Sequence, residues 1–346
     1  MKKFIVALGI VVSACQGQKT VPQVYANAET DNCIASQGED AADDPAFWLN
    51  ESKPENSLIF GTNKKYGLEV YNLSGERIAD YPIGRLNNVD VSLNVPLYDT
   101  TIDIVAASNR DYDRIDVWAI DSVGEKLTLI SDTTMKTNLE GVYGFCLWND
   151  ELNRRAFAFV NNKDGMVEQW ELSSDSTQVT FTLVNAFEAA GQVEGMVVDH
   201  NNRLLYLGEE QGGIFAYDLD DSDAERFRID MSGDENEDLS YDIEGLAIFS
   251  NDSTHLLLAS SQGNFKYAVF DIGNNYKYLG VFEIADGTFD GAEETDGIDI
   301  YADPIGDIYP KGILIAQDGF NKDSEGQAIP QNFKIVDWRE IEAIFN

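Results

Sequence analysis

One pattern returns six times along this chain and limits what it can fold into. A short apolar run leads through a polar hairpin containing Gly or Asn to a second alternating run. Residues 58–62 lead to 68–73, 104–108 to 115–118, 157–161 to 167–172, 204–208 to 214–219, 256–260 to 267–271, and 313–317 to 333–338. With Gly61, Ala107, Val160, Gly208, Ser260 and Ala316 taken as equivalent points, the steps are 46, 53, 48, 52 and 56 residues. That period matches a four-stranded propeller blade. The residues agree: β-branched and aromatic side chains alternate with polar ones between turn formers. The only strong helical pattern is the terminal stretch 338–345. The spacing therefore predicts an all-β, six-bladed β-propeller over residues 37–346.

Each repeat is preceded by one more strand with a polar entrance. These strands begin at Asp43, Asn87, Glu140, Glu194, Asp242 and Thr295. The first strand of a blade lines the central channel, so six polar entrances aim at one axis. The chain has 61 acidic and 24 basic residues, a net charge of −37. Carboxylates converging at short range repel one another unless a cation sits among them. Oxygen donors without His or Cys suit Ca²⁺ better than zinc. The alternative is that these residues cap strands and meet channel water. The same charge disfavours nucleic acid and anionic membrane surfaces, which need Lys and Arg.

The N-terminus reads as a targeting segment. Lys2 and Lys3 precede an apolar run, 4–12, too short to span a bilayer. It ends in Val12, Ser13, Ala14 and Cys15, a bacterial lipobox in which Cys15 is acylated; a plain secretory cut near Ala14 is the alternative. Residues 1–15 are thus a signal peptide. Residues 16–36 are a tether whose part from Val21 to Ile34 can supply an outer strand to the last blade. The protein is expected to be exported, lipid-anchored in the cell envelope or secreted, and monomeric, touching membrane only through Cys15. Pairing of Cys33 with Cys146 is left open, since spacing does not show proximity.

The entrance and loop motifs resemble those of the β-propeller phytases, the alkaline calcium-dependent phytases of bacteria. The matching segments are 43–48, 62–68, 86–90, 106–110, 142–145, 193–196, 242–246, 259–264, 295–299 and 316–319, in register along nearly the whole mature chain. The resemblance implies hydrolysis of phytate, or calcium-phytate, at a site holding several Ca²⁺ ions. It assigns calcium to Asp43, Glu194, Glu209, Asp242 and Glu244, with Asn87, Asp296 and Asp318 in further calcium-associated segments. It assigns substrate phosphate to Lys64, Arg110, Lys163 and Tyr143, with Lys65 and Gln262 beside them. Lys64, Arg110, Tyr143, Glu194 and Glu244 are the implied catalytic group, Glu244 orienting or deprotonating a water.

Other hydrolase chemistries lack their signatures. The two histidines, His200 and His255, are not in an Arg-His-Gly run. No Cys precedes an Arg at cysteine-phosphatase spacing, and no Walker or dinucleotide fingerprint occurs. Two further readings stay open because propellers host many functions: a non-catalytic calcium-binding propeller that binds a polyanion or protein partner, and another propeller hydrolase such as a lactonase.

Overall fold

The structure, a computed structural model, describes residues 20–121, 124 and 126–345. Their strands form six separate sheets. Blade 1 runs Ala42–Trp48, Leu58–Asn63, Gly67–Asn72, Arg77–Tyr81. Blade 2 runs Leu86–Leu97, Thr100–Asn109, Arg114–Ile120, Leu127–Leu129. Blade 3 runs Val142–Asp150, Arg155–Asn162, Met166–Ser174, Val179–Glu188. Blade 4 runs Val193–Asp199, Leu204–Glu209, Gly213–Asp218, Phe227–Arg228. Blade 5 runs Ile243–Ser250, His255–Ser261, Lys266–Asp271, Lys277–Ala285, and blade 6 runs Ile298–Tyr301, Ile313–Asp318, Asn332–Asp337. The first strand of each blade packs against the first strand of the next, and blade 6 against blade 1, which makes the expected six-bladed ring.

Blade sheets stay upright because both faces are apolar. Six clusters of buried side chains fill the six wedges between neighbours. Trp118 and Phe60 lie between blades 1 and 2, Phe159 and Leu207 between blades 3 and 4, Leu258 and Leu314 between blades 5 and 6. Each such side chain contributes about 1.5–3 kcal/mol when fully buried. No wedge is enough alone, so stability needs the closed ring.

The N-terminal segment closes it. Ala28–Glu29 pairs antiparallel with Asn332–Asp337 and is the fourth strand of blade 6. Just before it, Gln23–Tyr25 pairs in parallel with Lys277–Ala285 as a fifth strand on blade 5. One short segment thus ties down two blades. The α-helix Trp338–Phe345 follows blade 6, where the pattern at 338–345 places it, and Trp338 stacks on Phe249 at 3.9 Å. Cys33 and Cys146 are free, buried thiols in different wedges. The expected signal and Cys15 lie outside the described residues. No helix among the described residues is long and apolar enough to cross a membrane.

Candidate active site

The site comes from a defect repeated in five of the six blades. In blade 1, Ala42 pairs with Asn63 but Pro45 pairs with Gly61, so the inner strand carries one extra residue. The same bulge occurs between Leu86 and Val89, Val142 and Phe145, Val193 and Met196, and Ile243 and Leu246. A bulge bends its strand and re-aims a side chain. The re-aimed residues are Asp43, Asn87, Tyr143, Glu194 and Glu244. Asp296, two residues before Ile298 pairs with Ala316, stands at the same place in blade 6.

The residue after each bulge leader lies against the next blade. At Gly144 and Gly195 a Cβ atom would sit 2.2 and 2.0 Å from the carbonyl oxygens of Glu194 and Glu244. Glycine here lets the inner strands approach until Gly245 N–H donates to Asp296 O at 2.8 Å and Gly297 N–H to Asp43 O at 3.1 Å. The six leaders are thereby held at one level around the channel mouth.

A second ring is formed by the first residue after each blade's second strand: Lys64, Arg110, Lys163, Glu210, Gln262 and Gly319. In four blades its backbone N–H donates to the inner strand's entrance: Lys64 to Ala41, Arg110 to Arg85, Glu210 to Gln192, Gln262 to Asp242, at 2.7–3.0 Å. Two of the expected calcium residues stand outside this ring. Glu209 and Asp318 each sit one residue earlier, still in the strand, where alternation turns them away. Glu209 Oε1 accepts from Arg226 at 2.7 Å and Ala190 N–H at 2.9 Å. Asp318 Oδ1 accepts the Glu293 N–H, and its Oδ2 lies 3.3 Å from the Lys334 ammonium. Glu210, which the sequence reading passed over, takes the place intended for Glu209. It was legible as the blade 4 counterpart of Lys64 and Arg110.

Contacts knit the two rings. Lys64 Nζ lies 2.6 Å from Asp40, 2.7 Å from Asp296 and 3.1 Å from Asp43. Gln262 Nε2 donates to Glu244 at 2.8 Å and to Asp296 at 2.7 Å. Tyr143 donates its hydroxyl hydrogen to Glu194, and Asn87 Nδ2 donates to the other Glu194 oxygen at 2.8 Å. Arg110 donates to Asn87 Oδ1 at 3.0 Å, and the Lys163 ammonium lies 4.2 Å above the Tyr143 ring. Asp242, at the rim, accepts from Gln211. Lys65 is exposed and has its backbone N–H on Asn63.

Electrostatics make this cluster costly without a cation. Oxygens of Glu194, Glu210 and Glu244 lie within 4.8 Å of one another. At an effective dielectric near 20, each ionised pair at that range costs about 3–4 kcal/mol. Burial, then Asp296, pushes Glu194 up to about 7. Burial, then Glu194 and Asp296, pushes Glu244 up to about 12. Burial also raises Glu210 and, far more, Asp43. Burial opposes the Lys64 charge, but Asp43, Asp296 and Asp40 outweigh it and hold its pKa above the ordinary lysine value.

The donor set suits a hard cation. All the converging ligand atoms are oxygens, and of the two buried Asp43 oxygens Oδ1 has only the Lys64 ammonium at 3.1 Å while Oδ2 has no hydrogen-bond partner. Such sites are calcium-like rather than zinc-like.

Comparison with known proteins gives the family. The phytase family profile matches residues 4–346. The chain is 41% identical over 326 residues to a 3-phytase of Bacillus subtilis (strain 168), covering 92% of this chain and 84% of that one. The chain belongs to the phytase family. A crystal structure of BBS1N in complex with ARL6DN is similar at a TM-score of 0.48 and 10% identity, covering 84% of this chain and 77% of that one. The phytase fold described above is read from this chain's own sheets.

Proposed function

We propose that the protein is a calcium-dependent phytase, a phosphoric monoester hydrolase acting on myo-inositol hexakisphosphate or its calcium salt. The observation that carries this reading is the pairing of the two rings, which brings the cations Lys64, Arg110 and Lys163 to a mouth lined by carboxylates. Asp43, Glu194, Glu210, Glu244 and Asp296 would hold the calcium ions, with Asp242 at the rim. Calcium, when bound, supplies charge that draws phosphate oxygens to an acidic site and lowers the pKa of water.

The chain's own residues do the rest. Lys64, Arg110 and Lys163 bind phosphoryl oxygens and stabilise the charge that builds on them. Asn87 holds the Arg110 guanidinium by its oxygen and Glu194 by its amide nitrogen, so the cation is aimed from the carboxylate wall. Tyr143 gives Glu194 a hydrogen bond and Lys163 an aromatic face. Glu244 would orient or deprotonate the attacking water once a bound cation keeps its carboxylate ionised; without one, burial and Glu194 favour its protonated form. Gln262 fixes that carboxylate against Asp296. Export, acylation at Cys15 and a monomeric state complete the proposal. They rest on the leader sequence and on the net charge of −37, which favours solubility and self-repulsion.

The opposing reading, a non-catalytic calcium-binding propeller, has no use for three cations beside the carboxylates. Phosphate release from calcium-phytate, with and without chelator, separates the two. Release in calcium and none in chelator is expected; no release in either excludes the enzyme. Lys64→Ala is expected to lose at least about tenfold in rate, the scale of one charge-assisted contact. A wild-type rate would remove Lys64 from the site.

A further inference from the structure

Three strands of blade 6 are remote in sequence from blade 1, and the site straddles the interface between them. Asp296 comes from blade 6; Asp40, Asp43 and Lys64 come with blade 1. Here the chain link, residues 30–41, starts from the outer strand Ala28–Glu29, which is joined to the rest of blade 6 only by strand pairing. At this seam side chains and backbone hydrogen bonds therefore set how far Asp296 stands from Lys64.

Two glutamines make that setting. Gln317 is fully buried: its Oε1 accepts the Asp296 N–H at 2.9 Å and its Nε2 donates to Ala42 O at 3.3 Å. Its own backbone N–H donates to Gly297 O at 3.0 Å. Gln331, 8% exposed, accepts two backbone N–H groups on one oxygen, Ala41 at 2.6 Å and Ala42 at 2.9 Å, and donates to Gly319 O at 3.2 Å. Ala41 O in turn accepts the Lys64 N–H at 2.7 Å. One amide thus fixes the dipeptide between Asp40 and Asp43, and that dipeptide fixes Lys64.

The other blades show what position 317 is for. Its counterparts in the second strands are Thr62, Ser108, Asn161, Gly208 and Ser260, of which Gly208 has no side chain to contribute. Thr62 Oγ1 accepts the Asp44 N–H at 2.9 Å, and Asn161 Oδ1 accepts the Gly144 N–H at 3.1 Å. Ser108 donates to Tyr143 O at 2.6 Å and Ser260 to Thr295 O at 2.7 Å, each reaching the next blade. These positions pin the bulges. Asn161 also reaches the next blade, its Nδ2 meeting Met196 Sδ at 3.5 Å; Gln317 is the longest side chain of the set and binds the backbone on both sides of its interface.

We propose that Gln317 and Gln331 are positioning residues for catalysis, setting Asp296 against Lys64 and Asp43 across the seam. The inference rests on the phytase reading of the mouth. Neither glutamine is assigned to substrate; each acts through the backbone of residues that are.

The test compares four variants of the full chain. Gln331→Met and Gln317→Met remove the amides at nearly constant volume. Gln331→Glu keeps the acceptor for Ala41 and Ala42. Thr30→Val is the control: its hydroxyl accepts the Phe333 N–H at 3.0 Å where the closing strand joins blade 6. Melting temperature, calcium affinity by calorimetry, and kcat and KM on calcium-phytate are measured for each. A displacement of about 1 Å costs on the order of 100-fold in rate. Both Met variants are expected to lose about 10- to 100-fold in kcat and to bind calcium more weakly, with no larger loss of melting temperature than Thr30→Val. Thr30→Val is expected to keep kcat, and Gln331→Glu to recover most of it. Wild-type kcat in both Met variants, a loss in Thr30→Val equal to theirs, or no recovery in Gln331→Glu overturns the proposal. Should Gln331→Met fail to fold, Gln317→Met against Thr30→Val decides the same question. A wild type that releases no phosphate sinks the phytase reading alone; unchanged calcium affinity in the Met variants then still rejects the positioning role.

Discussion

Adjacent glutamates in blade 4 have opposite duties, and their difference is testable. Glu209 belongs to the strand and neutralises Arg226; Glu210 follows it and faces Glu194 and Glu244. Glu210→Gln removes one charged ligand from a site built of mutually repelling carboxylates. Calcium affinity is expected to fall at least about tenfold, since hydrogen-bonding and ligand contacts of charged groups are worth about 1.5–3 kcal/mol. The metal-free protein is expected to melt no lower, because one repulsive charge is gone. Glu209→Gln should do the reverse, leaving calcium affinity unchanged and lowering the melting temperature by weakening the Arg226 contact. Calorimetric calcium titration of both variants checks this; equal affinity losses would mean that the two side chains share the mouth. Tyr143→Phe gives a second residue-scale test. It removes the hydrogen bond to Glu194 but keeps the ring under Lys163. We expect kcat/KM to fall by about 10- to 100-fold on the same energetic scale, measured on calcium-phytate; an unchanged value would make the hydroxyl a bystander.

Within an element, the bulge decides what the sequence could and could not disclose. Strand alternation, turn residues and the repeat period are local, so the six blades and the polar entrances at Asp43, Asn87, Glu194 and Asp296 could be read from pattern. The bulge adds one residue without any composition cue, and the period-2 rule then loses phase. This is why Gly208 and Ser260 were aligned with Gly61, whereas Leu207 and Ala259 actually pair at that level. The expectations for Glu209 and Asp318 rest on the family resemblance, whose motifs do not tell which of two adjacent residues faces the mouth. Asp318 instead faces a buried ammonium that locks the closing strand. Lys334, wholly buried, lies 2.6 Å from Glu29 and 3.3 Å from Asp318, and also pairs with Asp290. Glu29 is on the N-terminal strand, so this cation holds the far end of the chain in blade 6. Lys334→Met would leave those carboxylates facing one another. Breaking a buried pair typically costs about 3–5 kcal/mol. Denaturant unfolding should show a loss of that order, and a loss under about 1 kcal/mol would deny the clamp. Starting the chain after residue 36 should also lower the melting temperature, because it deletes Gln23–Tyr25, Ala28–Glu29 and Glu29's contact with Lys334.

Across the whole molecule, the raised carboxyls give stability a pH dependence opposite to that of an ordinary salt-bridged protein. Glu194 is pushed up to about 7 and Glu244 to about 12, mainly by burial and then by other carboxylates. Lower in the channel, burial lifts Asp90 to about 7 and Asp299 to about 6. In the unfolded chain all four release their protons near pH 4. Between pH 4 and 7 the folded state therefore binds more protons than the unfolded state, and stability falls as pH rises. Depressed carboxyls act only at the acid end: Asp150, held to about 2 first by Arg203, and Glu235, held to about 2 first by Arg228, are ionised in both states above pH 5. In chelator, the melting temperature is expected to be highest near pH 5 and to decline towards pH 8. Calcium favours the ionised mouth, so its stabilising increment should grow over the same interval. A pH series of melting curves with and without calcium measures both slopes. If the chelated protein melts at one temperature from pH 5 to 8, the carboxylates at the mouth are not crowded as their positions require, and the electrostatic case for a cation there fails.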